Sequence, residues 1–474
     1  MMQNKVKIGL LGVGLDTYWG QFEGLLPRLL AYQEEICAGI EQMDVEVINV
    51  GMVDSPQKAG ESALLLKQAD VEFVFLFIST YALSSTVLPV AQQVGKPVIM
   101  LNMQPVPAIN YQKVNSMGDR GKMTGEWLAH CQACSVPEFA SVFNRSGIRY
   151  DIITGYLSDQ LAWKEIASWV DAARVVGGMR KNRLGILGHY YCGMLDVYTD
   201  VMQQSATFGT HVELLEMCEL KAYRDEVTDA DLRRKLNEFY DKFDVETSCE
   251  SDELVRAART SVALDKLVEA HRLGAMAYYY EGFNGNDYEN IVTSVIAGNT
   301  LLTGHGIPVA GECEVKNAQA MKIMSLLKAG GSFSEFYAMD FNDDIVMLGH
   351  DGPAHFAIAE EKVKLVPLPL YHGKPGKGLS IQMTVKPGNV TLLSVCEGKD
   401  GVFLLAAEGE AVQGETLHIG NTNSRYRFPC GARRFMDMWS KAGPSHHCAI
   451  GVGHKVSELK KLAFLLNIPI VVIE

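Results

Sequence analysis

Short apolar runs alternate with stretches of helical periodicity through residues 1–329, the pattern of parallel sheets wound with helices. Candidate strands fall at 6–11, 45–50, 71–78, 97–103 and 149–153, with helices between them, among them 25–40 and 83–94. A second series gives strands at 184–189, 212–217, 275–280 and 307–311 and a helix at 254–273. The charged stretch 227–243 carries acidic residues early and Arg233, Arg234 and Lys235 later, the order a helix macrodipole favours. Its charge therefore reads as a solvated face. From about residue 330 the texture changes to short alternating runs at 336–341, 345–348, 363–368, 379–385, 390–395, 402–407 and 416–419. Lys386-Pro-Gly-Asn389 and Glu397-Gly-Lys-Asp-Gly401 between them are turn chemistry. A helix at 456–466 and a strand at 468–473 follow. The pattern predicts an α/β protein: two doubly wound parallel-sheet domains, 1–172 and 173–329, then a mostly antiparallel, β-barrel-like domain, 330–474.

At 474 residues the chain is too long for one core, which agrees with that division. A net charge of -13 leaves no basic stripe to neutralise phosphates, so neither nucleic acid nor an anionic membrane surface is expected as a partner. No stretch approaches the roughly 20 apolar residues that span a bilayer, and the opening apolar run is too short for a signal peptide. Ten cysteines without framework spacing read as reduced thiols, so a cytoplasmic protein is expected. Cys131 and Cys134 form a lone C-x-x-C, which reads as ordinary packed thiols.

Gly12, Gly14 and Gly20 follow the first strand, but Asp16 and Thr17 break the G-x-G-x-x-G spacing. Tyr18 and Trp19 would crowd a pyrophosphate. A nicotinamide dehydrogenase is therefore disfavoured, and the loop instead carries polar and aromatic groups to the strand's carboxyl end, where α/β proteins bind ligands.

The candidate chemistry lies further on. Glu312 directly follows a buried strand, a costly position unless the carboxylate is paired, hydrogen-bonded or bound to a metal. Glu335 opens a strand after a glycine-rich turn, with Asp340 as its competitor five residues on. His350 ends a strand before the turn Asp351-Gly352-Pro353. His446 and His447 are neighbours, and strand alternation allows one of them into a site. Two carboxylates and two imidazoles suit Mn²⁺, with Co²⁺ or Fe²⁺ as alternatives, and leave positions for a substrate.

These residues resemble a family, the metal-dependent L-arabinose isomerases and their relatives the L-fucose isomerases. Gly311-Glu-Cys-Glu-Val-Lys-Asn-Ala318 is similar to the family's G-E-G-D-x-K-T-A, and Ser332-Phe-Ser-Glu335, Asp344-Ile-Val-Met-Leu-Gly-His350 and Ala442-Gly-Pro-Ser-His-His447 follow in order. The first loop, Gly14-Leu-Asp-Thr-Tyr-Trp-Gly20, and residues 189–194 are also similar. The resemblance implies that Glu312, Glu335, His350 and His447 hold Mn²⁺ and that Glu312 and Glu335 are the catalytic acid/base pair. It implies sugar contacts at Asp16, Trp19, His189 and Met194. Asp16 stands where the family carries glutamine and Trp19 where it carries tyrosine, so the sugar itself is not fixed. A homotrimer or homohexamer is implied as well.

An aldose–ketose isomerase acting on an L-sugar through an enediolate fits such residues, since two carboxylates flanking C1 and C2 remove and return a proton. The competing reading is a sugar-binding α/β protein with no catalysis, because paired α/β lobes also bind sugars in their cleft.

Overall fold

The computed structural model describes residues 5–281, 285–369 and 377–474. The chain divides into two compact units, Met1–Gly177 and Gly178–Glu474.

In the first unit five parallel strands, Lys7–Val13, Glu46–Val53, Val74–Ile78, Val98–Gln104 and Tyr150–Tyr156, stand in the order 2-1-3-4-5. Val74–Ile78 reads Val-Phe-Leu-Phe-Ile and is buried throughout, as the centre of a sheet covered on both faces requires. The winding reverses between the first and third strands, and the loop after Lys7–Val13 emerges there. Packing is tight for the glycines at the end of this strand and the start of its loop. A Cβ on Gly12 would meet Gln33 Oε1 at 2.2 Å, and one on Gly14 would meet Trp19 Cη2 at 2.8 Å.

The second unit begins with the same winding in a shorter form. Strands Arg183–Gly188, His211–Leu215, Ala275–Tyr279 and Val309–Ala310 are parallel, in the order 2-1-3-4. The expected charged helix is Asp229–Lys242. Thr228 and Asp231 form a capping box at its start, each side chain bonding the other's backbone N–H. The strand expected at 307–311 is cut to two residues, because Glu312 (φ 53°) and Cys313 (φ 58°) turn left-handed and close a 3₁₀ turn, Gly311–Cys313.

Strand Gly330–Asp340 lies inside the second unit. Six antiparallel strands then close on themselves. In order around the ring they are Gly388–Gly398, His447–Val452, Gly330–Asp340, Ile345–His350, Thr422–Arg427 and Gly401–Val412, which pairs back to the first. Closure removes the exposed edges of an open sheet. The last seam is narrow: Gly401–Val412 pairs with Thr422–Arg427 only at Glu410, Ala411 and Val412. Ile470–Ile473 runs parallel to residues 404–407 of the same strand.

The barrel-like expectation holds, with differences in membership. Strands Lys364–Leu368 and Gly378–Gln382 lie outside the ring, in a small sheet with Asp244–Val245. No strand forms at 416–419; the ring strand is Thr422–Arg427. Helix Ala432–Ala442 and strand His447–Val452 were not expected.

The barrel core is aromatic along one side, where Phe428 and Phe435 stack at 3.6 Å and Trp439 packs 5.7 Å from Phe435. Phe435 is fully buried, so Phe435→Ala should cost about 3–5 kcal/mol. The expected result is a lower urea midpoint with little change in m-value.

Candidate metal centre

Three neighbouring barrel strands bring three of the four expected ligands into register. Glu335 pairs with His447 on one side and Gly349 on the other, so His350 stands one residue beyond that pairing. Glu335 lies mid-strand, five residues into Gly330–Asp340, and does not open it. The pairing slips between Phe336 and Ala338, and Asp340 ends up near Arg425, 3.7 Å from it. Asp340 therefore stays out of the cluster.

Glu312 comes from the central sheet, at the carboxyl end of Val309–Ala310. Gly311 before it permits close approach, since a Cβ there would stand 2.9 Å from Phe333 Cε1. Phe333 is buried and packs against both imidazoles, its ring 4.5 Å from that of His350 and 4.3 Å from that of His447. One aromatic side chain thus orients two imidazoles and limits how near Glu312's loop comes. Left-handed backbone at two successive non-glycine residues costs roughly 1–2 kcal/mol each, a strain of the kind found at functional sites.

The functional atoms face one another. Glu312 Oε2 lies 3.2 Å from His447 Nε2 and 3.5 Å from His446 Nε2, and Glu312 Oε1 lies 3.9 Å from His350 Nε2. Glu312 with His350 and His447, and Glu335 with His446 and His447, each present ligand atoms within 4.8 Å of one another. Glu312 Oε2 and His447 Nε2 are both buried and meet at ion-pair distance, a position in which one cation could lie between them and His350. Two carboxylates and two imidazoles fit a divalent transition metal.

Alternation does not separate His446 from His447, because His446 precedes the strand that His447 begins. The rings lie 3.9 Å apart, tilted by 39°, and both turn Nε2 toward Glu312. Asp196 holds His446: its Oδ2 accepts from the backbone N–H at 3.0 Å and lies 2.6 Å from Nδ1. Glu314 directly follows the left-handed turn. It is 1 % exposed, and its Oε2 lies 2.6 Å from His447 Nδ1. A carboxylate behind an imidazole fixes which ring nitrogen is free for a ligand. Asp196, Phe333 and the place of Glu314 behind His447 are features of the cluster that the sequence did not disclose, although Phe333 and Glu314 lie within the quoted motifs; His446 was named there only as the alternative to His447.

The electrostatics follow from this arrangement. Burial alone would lower the His447 pKa; Glu312 and Glu314 on its two sides outweigh burial and push it up to about 10. Burial holds His350 down, to about 4, so its ring is neutral. Burial would raise the Glu312 carboxyl, but the histidines beside it hold it well below the usual range. Burial and the Glu312 charge raise that of Glu335. The two carboxylates are driven apart, one ionised and one more readily protonated.

The other expected sugar contacts lie in two places. Asp16 and Trp19 belong to the first unit's loop, where Asp16 is exposed and Trp19 Nε1 donates to Asp54 Oδ2 at 2.8 Å. His189 follows strand Arg183–Gly188 in the second unit, against the rings of Tyr279 and Tyr280, both at 5.6 Å. Two residues on, the Tyr191 N–H donates to Glu312 O at 3.4 Å, so this segment borders the cluster. Met194 caps the 3₁₀ turn Leu195–Val197 that carries Asp196 to His446.

Two family models match adjacent segments: the L-arabinose isomerase central domain over residues 197–330 and the L-arabinose isomerase C-terminal domain over 330–469. The L-arabinose isomerase of Nocardioides sp. is 23% identical over 393 residues, 80% of this chain and 76% of that protein. That of Aeromonas salmonicida is 19% identical over 412 residues, 85% and 80%. That of Klebsiella pneumoniae strain 342 is 22% identical over 353 residues, 71% and 69%. Among solved structures, a periplasmic solute-binding protein from Actinobacillus succinogenes with bound D-allose covers 65% of this chain and 78% of its own at 12% identity. Its TM-score is 0.17.

The raised His447 pKa has a stability consequence. A folded pKa above the unfolded 6.5 gives stability that is complete below pH 6.5 and lost as pH rises through about 10. Thermal unfolding of chelator-treated protein should show this decline, and Glu314→Gln should shrink it.

Proposed function

Because the chain belongs to the L-arabinose isomerase family, we propose that it interconverts an L-sugar aldose and its ketose, of the L-arabinose and L-ribulose type, at a divalent metal held by Glu312, Glu335, His350 and His447. It is an aldose–ketose isomerase. The observation that carries the metal assignment is the convergence of ring nitrogens of His350, His446 and His447 on the Glu312 carboxylate, with ligand atoms of Glu312, His350 and His447 within 4.8 Å of one another.

Mn²⁺, or Co²⁺ or Fe²⁺ in its place, would supply positive charge to O1 and O2 of the open-chain sugar and acidify the hydrogen on C2. Glu312, held ionised among histidines, is suited to take that proton and return it to C1. Glu335, whose carboxyl protonates more readily, is suited to give a proton to O1 and receive one from O2. This passes the substrate through an enediolate, with hydrogens conserved. Glu314 keeps His447 oriented with Nε2 forward. His350 needs an adjustment: the Gly352 N–H now donates to its Nδ1 at 2.9 Å. For Nε2 to bind metal the proton must sit on Nδ1, with Asp351 Oδ1, 3.5 Å away, as the acceptor.

We assign Asp16, Trp19, His189 and Met194 as sugar contacts and, from the family, a homotrimer or homohexamer as the assembly. Among the described residues no helix is long and apolar enough to cross a membrane, in keeping with a cytoplasmic enzyme.

Glu312→Gln should lower turnover by about 10³-fold on whichever aldose of an L-sugar panel is used, with the folded secondary structure intact by circular dichroism. Retained turnover would remove Glu312 from the mechanism. Mn²⁺ binding should release about one proton near pH 8, because His447 is protonated there without metal. Titration calorimetry in buffers of different ionisation enthalpy measures that number, and zero release would dismiss His447 as a ligand.

A further inference from the structure

The C-x-x-C of the first unit lies outside the isomerase chemistry. Cys131 Sγ and Cys134 Sγ are 2.6 Å apart, closer than two unbonded sulfurs normally pack. No other sulfur–sulfur contact is seen among the described residues. Cys131 is 2 % exposed while Cys134 is exposed, so one thiol is sheltered and the other open to reagents.

The turn that carries them, between helices Arg120–Leu128 and Val136–Ser146, is pinned from several directions. Gln132 Nε2 donates to Ser79 O at 2.8 Å and to Ala129 O at 3.0 Å. Ser135 Oγ accepts from the Ala82 N–H at 2.8 Å and donates to Ala82 O at 3.0 Å. The two sulfurs are therefore held face to face by the surrounding backbone, and little rearrangement separates them from a bond.

We propose that Cys131 and Cys134 form a redox site that closes to a disulfide when a peroxide reaches Cys134 and reopens under a dithiol. In the first step the Cys134 sulfur takes one oxygen of the peroxide, becoming a sulfenic acid and leaving water or an alcohol. In the second, Cys131 Sγ attacks that sulfur. The S–S bond forms, and the hydroxide leaves with the Cys131 proton as water. Overall the peroxide is reduced by two electrons and the two thiols are oxidised by two. The order of events follows from exposure, and burial, which pushes the Cys131 thiol up to about 12, keeps that sulfur protonated until its partner is activated.

The site borders the loop already assigned to the sugar. Cys131 packs with Leu25, Leu29, Met52 and Leu128, and Tyr18 and Trp19 lie against the same cluster. A bridge here would stiffen the turn beneath residues 16–19.

The test uses the full chain treated with hydrogen peroxide, alkylated, digested and analysed by mass. The peptide holding both cysteines is expected unalkylated and about 2 Da lighter, with the mass restored by dithiothreitol. Cys131→Ser is expected to leave a sulfenic acid at residue 134 that dimedone labels, and Cys134→Ser to leave residue 131 reduced. The proposal is overturned if both cysteines alkylate fully after peroxide that oxidises the exposed Cys192 and Cys218. It is overturned equally if Cys134 of the unsubstituted chain bridges to another cysteine or accumulates as the dimedone adduct. The reading is by mass, so it stands or falls independently of the isomerase assignment.

Discussion

A buried imidazole between two carboxylates is the contact on which the second unit turns. His447 is fully enclosed, with Glu314 2.6 Å behind it and Glu312 3.2 Å in front. A charge in such a place is tolerable only when its partners are fixed, because an unpaired buried ion costs several kcal/mol. The partners are fixed by different parts of the chain: His447 by a barrel strand, the two glutamates by the turn after the central sheet. The demand that this pairing be complete joins the α/β part of the unit to the barrel and brings the candidate ligands together.

The turn Gly311–Cys313 shows what that junction demands of the backbone. An ordinary strand would set Glu312 and Glu314 side by side on one face, unable to flank a single ring. Two left-handed residues bring both carboxylates onto the same histidine from either side. The conformational cost is local, and the charge pairing it permits offsets it. Phe333 then sets the depth of the pocket, touching both imidazoles and leaving Gly311 no room for a side chain.

Much of this was legible in the residues. Val74–Ile78 and its neighbours are strands because runs of β-branched and aromatic residues bounded by turns have few alternatives. Glu312 and His350 declared themselves as polar groups at the ends of apolar strands, and the order of motifs linked them. What escaped were features set by pairing. Strand His447–Val452 reads His-Cys-Ala-Ile-Gly-Val, with small residues and a glycine, too weak a signal without its neighbours. Glu335 appeared to open a strand because the residues before it, Gly330 to Ser334, look like a turn until they pair with 448–451. Glu314 escaped because its place behind His447 depends on the left-handed turn, where the backbone leaves the extended region and alternation no longer applies. His446 was set against His447 by the same rule, although only His447 lies in the strand.

The uneven closure of the ring carries a mechanical consequence. Gly401–Val412 shares its length between three ring pairs with Thr422–Arg427 and four parallel pairs with Ile470–Ile473. Transient opening, as amide exchange senses it, is cheapest where the ladder is shortest. That weak seam lies on the far side of the ring from Gly330–Asp340, the strand whose two ladders align Glu335 with His447 and Gly349. The barrel is thus able to breathe at its back while the ligand-bearing wall keeps its register.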